Sequence, residues 1–363
     1  MTVIPEKQEH LKSVLHKMVI NPESVTPELV VSGLRSIARG EASDAQMGGF
    51  MTALKMLGID RKPEMLAVIA GEVLRSAAIP CIDFDGKTRD DYSMIVDIVG
   101  TGGDGWNTFN ISTTSSLIAA AAGLTVTKHG SRALTSNSGS ADILESMGCN
   151  LSAVLPAHVG KLLAEHRYCF ILVDNFHTTI LYVRRMWKEL GIPTPFKILG
   201  PITNPVVPNR AVIGVNSKEL GPVMAEALRI LGRCNYAVVC GDEDLDEISI
   251  AGDTHVWHIQ ESGEIKNYTI HPRDFGVPAH PLSKAAGATL EENKATLHRL
   301  LSNELEDKDI AVRDFVLINT GFLLFVAGMA SSMEEGATIA RQTLESGKVM
   351  ALLESFGKAT RAL

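Results

Sequence analysis

The segment with the clearest chemistry in this sequence is a glycine-rich run between a strand-like stretch and a helix. Residues 100–105 read Gly-Thr-Gly-Gly-Asp-Gly and follow an apolar stretch at 95–99; an alanine-rich segment then opens with Asn110-Ile-Ser-Thr-Thr114 and ends at Gly123. Glycines let a backbone approach an anion closely, and a helix N-terminus adds free N–H donors and partial positive charge. We therefore expect a phosphate-binding loop here, assisted by the polar side chains at 110 and 112–114.

The glycine spacing also matches a dinucleotide-binding fingerprint, but two details argue against that interpretation. The first, third and last residues of the run fit G-x-G-x-x-G, yet the helix starts about five residues later than in a dinucleotide fold. The next predicted strand, at 124–127, ends in Lys128-His129 and not in an acid that could bind a ribose. The sequence contains no P-loop motif. A glycine turn before an ordinary capped helix stays open as an alternative.

Two further polar segments are expected at the same edge of the sheet. Lys128-His-Gly-Ser-Arg132 follows the strand at 124–127, and the hydroxyl-rich segment 136–142 opens another helix. Ligand sites in open α/β sheets lie at the carboxyl ends of strands, so these loops can meet the glycine run. Lys128 would then supply a positive charge to a phosphate. The alternative is an ordinary solvent-exposed lysine.

An acidic run follows the strand-like stretch at 237–240. Residues 242–247 read Asp-Glu-Asp-Leu-Asp-Glu, which places five carboxylates in six positions. Carboxylates crowded in this way repel one another unless solvent or a cation relieves them, and oxygen ligands in a loop suit Mg²⁺ shared with a substrate phosphate. An ordinary acidic surface loop is the alternative, but the position at the end of a strand favours metal binding.

The composition of the chain limits its functional class. With 363 residues, 45% hydrophobic and 21% charged, it is typical of a soluble globular protein of about two domains. A net charge of -8 without a cluster of Lys and Arg argues against nucleic-acid binding. The N-terminus resembles no targeting signal, and the longest apolar stretch, 316–330, is too short to span a membrane and is predicted to be a buried helix. Five cysteines without a CxxC pair predict reduced thiols and a cytoplasmic protein.

Hydrophobic spacing predicts two kinds of architecture along the chain. From about residue 6 to 79 apolar residues recur at helical spacing, with helices predicted to start near Thr26, Ser43 and Lys62. Beyond a polar connector, strands alternate with helices, which indicates a mainly parallel sheet. The predicted strands cover 95–99, 124–127, 169–173, 211–215 and 237–240, and further helices cover 182–190 and 311–356. The predicted fold class is α/β: a small all-helical domain plus a larger α/β domain with a mainly parallel central sheet flanked by helices.

Taken together, these segments closely resemble the anthranilate phosphoribosyltransferase family, within the nucleoside phosphorylase class II fold group. The resemblance covers nearly the whole chain, and seven specific segments in one order are not expected by chance. They are Gly100-Thr-Gly-Gly-Asp104, Asn107-Thr-Phe-Asn-Ile-Ser-Thr113, Lys128-His-Gly, Ser138-Gly-Ser-Ala-Asp142, Phe176-His177, Leu199-Gly-Pro-Ile-Thr-Asn-Pro205 and Leu245-Asp-Glu247.

The resemblance implies Mg²⁺-dependent transfer of the phosphoribosyl group of phosphoribosyl pyrophosphate (PRPP) to the amine of anthranilate, a step of tryptophan biosynthesis. It also implies a homodimer joined through the helical domain, with residues 1–83 and 185–203 in that domain and 84–184 and 204–363 in the α/β domain. The implied metal ligands are Ser112, Asp246 and Glu247. The implied PRPP contacts are Gly100, Gly103, Asp104, Thr108, Asn110, Ile111, Ser112, Thr113, Lys128, Ser136 and Ser140.

The acceptor side departs from the family pattern. Ser131 replaces the usual Asn after Lys-His-Gly, and Trp187 stands where the family has an arginine that resembles a clamp for the anthranilate carboxylate. An indole cannot neutralise a carboxylate, whereas Arg184 lies three positions earlier on the same helix face. We therefore hypothesise that Arg184 replaces the missing clamp. The predicted acceptor-binding residues are Gly100, His129, Ser131, His177, Arg184 and Trp187, and no residue is assigned as an acid or base.

Three other functions stay open from the sequence. The altered acceptor region favours a phosphoribosyltransferase of the same fold that uses another aromatic or heterocyclic acceptor. A pyrimidine nucleoside phosphorylase shares the fold group, but Leu245-Asp-Glu247 and residues 110–113 resemble the PRPP users. A non-catalytic nucleic-acid-binding relative is the third, and the acidic net charge argues against it.

Overall fold

The computed structural model describes residues 9–83, 94–133 and 138–363, apart from the side chains at positions 178, 185, 187 and 188. The strands in this part of the chain are β1 (Ile95–Gly100), β2 (Thr125–Gly130), β3 (Tyr168–Leu172), β4 (Arg210–Gly214), β5 (Tyr236–Gly241), β6 (Thr254–Ile259) and β7 (Ile265–Ile270). The helices are α1 (Glu9–Ile20), α2 (Pro27–Ala38), α3 (Asp44–Met56), α4 (Pro63–Arg75), α5 (Ile111–Ala121), α6 (Ser140–Ser146), α7 (Val159–His166), α8 (Val173–Phe176), α9 (Thr178–Leu190), α10 (Leu220–Ile230), α11 (Leu290–Leu301), α12 (Ile310–Val326), α13 (Met333–Glu345) and α14 (Lys348–Arg361).

Helices α1–α4 form a helical unit whose helix starts follow from the local sequence. The Thr26 side chain accepts a hydrogen bond from the backbone N–H of Leu29, and α2 begins with a proline. Ser43 and Gln46 form a reciprocal capping box at the start of α3. Helix α4 begins at Pro63, directly after Lys62. The three predicted helix starts are therefore confirmed.

The α/β unit is built on one seven-stranded sheet with the order β3-β2-β1-β4-β5-β6-β7. The first five strands are parallel, which confirms the mainly parallel sheet, while β6 and β7 add an antiparallel hairpin at one edge. Sequence analysis did not predict this hairpin. The predicted strand at 169–173 is displaced by one residue, because β3 ends at Leu172 and Val173 already begins α8.

The two faces of the sheet belong to two different apolar clusters. Side chains alternate across a strand, so Ile98 lies in the first cluster and Val99 in the second. The first cluster joins the sheet to α5 and to the C-terminal helices α12–α14. The second joins it to α10 and to all four helices of the helical unit, and it includes Phe196 from the segment after α9. The helical unit therefore packs on the sheet through a shared core.

Helix α9 and the following turn pack against α2 and α3. This packing supports the assignment of 185–203 to the helical domain, and the domain boundaries given above stay a prediction.

Helix α12 contains most of the apolar stretch predicted to be a buried helix. Nearly all of its residues are buried, including the polar residues Asp314, Asn319 and Thr320. Within the ranges that the structure describes, no helix combines the length and apolar character needed to cross a membrane. The five cysteines are unpaired, and Cys149, Cys169 and Cys240 are buried.

Candidate phosphate and metal site

The glycine run forms a loop at the carboxyl end of β1. Gly102, Gly103 and Gly105 have φ values of +69°, +75° and +83°, a region that side chains other than glycine rarely adopt. The loop is attached to the neighbouring strand β4, since the backbone N–H of Thr101 donates to the carbonyl of Gly214 at 3.0 Å. These glycines are exposed, so backbone donors of the loop are accessible to an anion.

The acidic run lies directly against the glycine loop. The carboxylate oxygen Oδ2 of Asp246 accepts a hydrogen bond from the backbone N–H of Gly102 at 2.5 Å. Oε1 of Glu247 accepts one from the backbone N–H of Ser112 at 3.3 Å, at the N-terminus of α5. A Cβ at Gly100 would overlap the Asp246 carboxylate, which explains the requirement for glycine. The predicted phosphate loop, helix start and acidic run therefore meet at one place.

The carboxylates at this junction crowd one another. Burial, followed by the negative charges of Asp104 and Glu247, raises the pKa of Asp246 well above its usual range. Burial also raises the pKa of Glu247 to about 8, although the positive charge of Lys128 opposes the shift. Such pKa values indicate that a cation would be needed to keep both groups ionised.

The donor set at this junction suits Mg²⁺. Asp104, Asp246, Glu247 and the Ser112 hydroxyl offer only oxygen atoms, which are the ligands that Mg²⁺ prefers. Among the residues described, no group of three or more His, Cys, Asp or Glu is arranged to hold a metal ion unaided. Asp246 and Glu247 are the residues that would hold an ion here, and Mg²⁺ commonly shares its coordination between carboxylates and a substrate phosphate.

Lys128 is buried and is not the solvent-exposed lysine of the alternative interpretation. Only 1% of the residue is exposed, and its Nζ donates to the carbonyl of His129 at 3.1 Å. Burial lowers the pKa of Lys128, while the negative charges of Asp97, Glu247 and Asp246 oppose that shift. The lysine therefore lies among the same carboxylates that border the glycine loop, and it partly balances their charge.

Asp97 is a buried residue of this site that sequence analysis missed. Its carboxylate accepts hydrogen bonds from the Asn204 side chain at 2.9 Å and from the backbone N–H of His129 at 3.4 Å. Burial raises the pKa of Asp97 to about 6, and the charge of Lys128 opposes the shift. An aspartate inside the apolar stretch 95–99 was the signal that could have identified it.

The predicted hydroxyl and amide residues connect the loops to one another. The Asn110 side chain donates to the Ser138 carbonyl at 3.3 Å and accepts from the Ser138 hydroxyl at 3.2 Å. The Ser140 hydroxyl donates to the Ser131 carbonyl at 3.1 Å. The first pair of contacts joins the starts of α5 and α6, and the last joins α6 to the end of β2. The predicted residues Ile111 and Thr113 are buried in the first turn of α5.

Two other predicted PRPP residues are less well connected to this group. Thr108 forms an isolated antiparallel bridge with Ala286, which attaches the segment before α5 to a distant part of the chain. Ser136 lies outside the described residues. The structure therefore brings together the glycine loop, the acidic run, Lys128 and the start of α5.

Two of the predicted acceptor-binding residues, His129 and His177, form a buried pair. The Nδ1 atom of His129 lies 3.0 Å from the carbonyl oxygen of Gly200, so Nδ1 carries the proton and donates. The two Nε2 atoms lie 3.2 Å apart, which requires His177 Nε2 to donate to the bare Nε2 of His129. Burial lowers the pKa of His177 to about 4 and that of His129 well below its usual value. Both rings are neutral at pH 7, so neither balances a carboxylate.

The histidine pair predicts a loss of stability in acid. The pKa of His177 is about 4 in the folded protein and about 6.5 when unfolded, so the unfolded state binds the proton first as the pH falls through this window. His177 alone then lowers the free energy of unfolding by about 2 kcal/mol between pH 8 and pH 5. We expect His177→Gln to lose less stability over this range in urea unfolding. Equal acid sensitivity of this variant and the wild type would contradict the prediction.

His16→Gln, a substitution on the exposed side of α1, is the matched control and should retain the wild-type profile. The comparison between variants is needed because Asp97, whose pKa is about 6, titrates in the opposite sense: its protonation in the folded state favours folding as the pH falls.

Arg184, the proposed clamp, contacts a carboxylate of this chain. Its Nη1 donates to the carboxylate of Asp174, and Arg132 donates to the other oxygen of Asp174 at 3.0 Å. Arg132 also pairs with Glu145. An acceptor carboxylate would therefore compete with Asp174 for Arg184. Trp187 lies in α9, and its side chain is outside the described part of the structure.

The fold and this site define a glycosyl transferase with a helical bundle before its α/β part. Residues 92–350 match the family model described as "Glycosyl transferase family, a/b domain", and residues 12–77 match "Glycosyl transferase family, helical bundle domain". The chain is 41% identical over 325 residues to anthranilate phosphoribosyltransferase of Schizosaccharomyces pombe, covering 90% of each chain. The chain belongs to the anthranilate phosphoribosyltransferase family.

Solved structures agree with this assignment. The enzyme of Saccharomyces cerevisiae in complex with PRPP and Mg superposes with a TM-score of 0.87 at 32% identity, covering 99% of each chain. The same yeast enzyme in complex with 4-fluoroanthranilate gives a TM-score of 0.85 at 30% identity, covering 98% of this chain and 99% of that one. The helical domain and the mostly parallel sheet are thus those of the family.

Proposed function

We propose that this protein is an Mg²⁺-dependent phosphoribosyltransferase that transfers the 5-phosphoribosyl group of PRPP to the amine of anthranilate and releases pyrophosphate. The observation that carries this function is the direct contact between the glycine loop and the acidic run, through the hydrogen bond from Gly102 to Asp246. A ligand with a pyrophosphate group can use the loop donors and a cation held by the carboxylates at the same time. The yeast relative described with PRPP and Mg supports this pairing.

The reaction needs charge stabilisation more than proton transfer. The bond between C1 of the ribose and the pyrophosphate oxygen breaks, and its electron pair leaves with pyrophosphate. The lone pair of the anthranilate nitrogen forms the new bond to C1, and that nitrogen then loses a proton to water. Backbone donors of the glycine loop and the charge of Lys128 stabilise the departing anion. Mg²⁺, when bound, adds positive charge at the same oxygens.

We expect the protein to orient the acceptor and to bind it through one cationic side chain. A neutral aromatic amine is already nucleophilic, so the protein has to position it against C1. The neutral ring of His129, near the carboxyl end of β2, contacts that of His177, which lies between α8 and α9, and Arg184 follows on α9. The yeast relative described with 4-fluoroanthranilate supports an aromatic acid as the acceptor.

A fluorescence assay tests the proposed function. Anthranilate fluorescence should fall with time when the protein, PRPP and Mg²⁺ are mixed, and the rate should be zero when any one of the three is omitted. If PRPP binds in calorimetry but fluorescence does not change at saturating anthranilate, the acceptor is a different aromatic or heterocyclic amine. The observation that favours this second candidate is the pairing of Arg184 with Asp174, because Asp174 occupies the arginine that would bind the anthranilate carboxylate.

We predict that Arg184→Ala raises KM for anthranilate by about tenfold or more, because a charge-assisted hydrogen bond to the carboxylate is lost. KM for PRPP should stay unchanged. Steady-state kinetics with each substrate varied in turn gives both values. Arg229→Ala is the matched control, since Arg229 is an exposed arginine of α10 that also pairs with an acid, Glu226. An unchanged KM for anthranilate in Arg184→Ala would show that Arg184 is not the clamp.

We also propose a cytoplasmic homodimer joined through the helical domain. Large apolar side chains are exposed on two helices of this domain, Val19 and Ile20 on α1 and Met56 on α3, and Leu181 and Tyr182 are exposed on the first half of α9, which packs against α2 and α3. A contiguous apolar patch on a protein surface is typical of a site for a protein partner, and these side chains are the candidates for such a patch. The five unpaired cysteines fit a reducing compartment.

A further inference from the structure

A lysine from the segment after α9 lies on the glycine loop. If Gly103 carried a Cβ, that atom would lie 2.5 Å from Cε of Lys197 and would overlap its Nζ, and the Asn216 side-chain nitrogen would be 3.6 Å away. The end of the Lys197 side chain thus occupies the space above Gly103 where any other residue would place its own side chain. Gly103 is therefore needed both for its φ of +75° and for this contact.

The backbone of Lys197 is fixed by the helical domain. Lys197 belongs to a 3-10 turn, Pro195–Ile198, in which its backbone N–H donates to the carbonyl of Thr194 at 3.0 Å. The preceding residue, Phe196, is buried in the apolar cluster that contains the helices α1–α4. The backbone of Lys197 therefore lies with the helical domain, and its side chain contacts a loop of the α/β domain.

The charge of Lys197 is not balanced within the described part of the chain. Its side chain is exposed, and no carboxylate in the described ranges forms an ion pair with it. Other lysines of the chain do have such partners, for example Lys218 with Asp242 at 2.8 Å. Lys128, the other cation of the site, is buried among three carboxylates. Lys197 is thus placed to meet an anion that enters the loop from solvent.

We propose that Lys197 binds the pyrophosphate group of PRPP at the glycine loop and stabilises it as the leaving group. The inference rests on the proposed function and adds to it a binding residue supplied by the helical domain. When the bond from C1 to the pyrophosphate oxygen breaks, the electron pair stays on that oxygen, and the ammonium of Lys197 lowers the energy of the added charge without giving up a proton.

Calorimetry with PRPP and with inorganic pyrophosphate, both in Mg²⁺, tests this role. We expect Lys197→Met to bind each ligand about tenfold more weakly, because a charge-assisted contact is lost. Lys197→Arg should stay within about threefold of the wild type, because it keeps the charge. The PRPP affinity of Lys197→Met should also fall less steeply with added salt. KM for anthranilate should be unchanged. Lys62→Met, at an exposed lysine of the same domain, is the control and should match the wild type.

The possible results separate this inference from the proposed function. If the wild type binds PRPP and Lys197→Met binds it as tightly as Lys62→Met does, Lys197 is not a pyrophosphate ligand and the proposed function is unaffected. If Lys197→Met loses affinity for PRPP and raises KM for anthranilate equally, its effect is one of packing and the inference is wrong. If the wild type itself does not bind PRPP, the proposed function fails and this inference fails with it.

Discussion

Asp246→Asn is expected to weaken PRPP binding in Mg²⁺ by more than about 100-fold, since the loss of an outer-shell partner of a metal ligand already costs about 10–100-fold. The substitution removes a carboxylate that contacts Gly102 and lies among Asp104 and Glu247. Chelation of Mg²⁺ by EDTA should weaken PRPP binding to the wild type by a similar factor and should have little further effect on the variant. Isothermal titration calorimetry with and without Mg²⁺ measures both effects.

Asp244→Asn is the matched control for this prediction. Asp244 belongs to the same acidic run but is exposed, and its φ of +59° is one that asparagine tolerates well. The control removes the same charge from the same loop and should leave PRPP binding within about twofold of the wild type, because exposed charges are strongly screened. If both variants lost affinity equally, the effect would belong to the net charge of the loop and not to a metal site. PRPP affinity that does not change with EDTA would refute the metal assignment.

Gly214→Ala is expected to abolish measurable PRPP binding in Mg²⁺ while the chain remains folded. A Cβ at Gly214 would overlap the backbone carbonyl of Asp246 and approach its Cα to 3.1 Å. Backbone atoms cannot rotate away as the end of a side chain can, so the whole acidic loop must shift away from β4. Overpacking of this kind costs about 1–3 kcal/mol. Calorimetry gives the affinity, and circular dichroism with a thermal melt should show native helix content and a lower Tm.

Gly252→Ala tests whether the added methyl group matters only where space is lacking. Gly252 lies a few residues beyond the acidic run, and a Cβ there would meet no atom within 4 Å. This variant should bind PRPP as the wild type does. Wild-type affinity in Gly214→Ala would mean that the acidic loop can move without affecting the site, contrary to the geometry described above.

Sequence analysis correctly predicted the features that depend on the conformation or hydrophobicity of residues within one short segment. The glycines at 102, 103 and 105 have positive φ angles, and a conformational need of this kind is visible in the residue itself. The apolar runs that became β1 to β5 are buried on both faces of the sheet, so their strand character was also clear. The β6–β7 hairpin was missed because it lies at the edge of the sheet. Only three of the six positions of β6 and one of the six positions of β7 are buried, and polar residues such as His255 and His258 interrupt the pattern.

Contacts between distant parts of the chain could not be predicted in the same way. The link between Asp97 and Asn204 and the contact of Lys197 with Gly103 depend on how separate elements pack. The pairing of Arg184 with Asp174 joins α9 to α8, and it gives the proposed clamp a competing partner that the sequence did not reveal. The position of a charged side chain depends on the partner with which it pairs, and that partner is known only from the structure. Apolar strands and glycine turns, in contrast, can be predicted from their own residue types.

The core shared by the helical domain and the sheet has a consequence for the order in which the chain folds. Helix α4 ends at Arg75, whereas its main partner α10 begins at Leu220, so the N-terminal helices are synthesised well before the surface that covers them. Until then, their apolar faces are covered chiefly by the contacts of α1 with α2 and α3 and of α2 with α4, and by α9 once residues 178–190 have been made. Closing so long a loop is slow and costs chain entropy. The helices α1–α4 are therefore made before the α/β domain and are among the last elements to complete their packing.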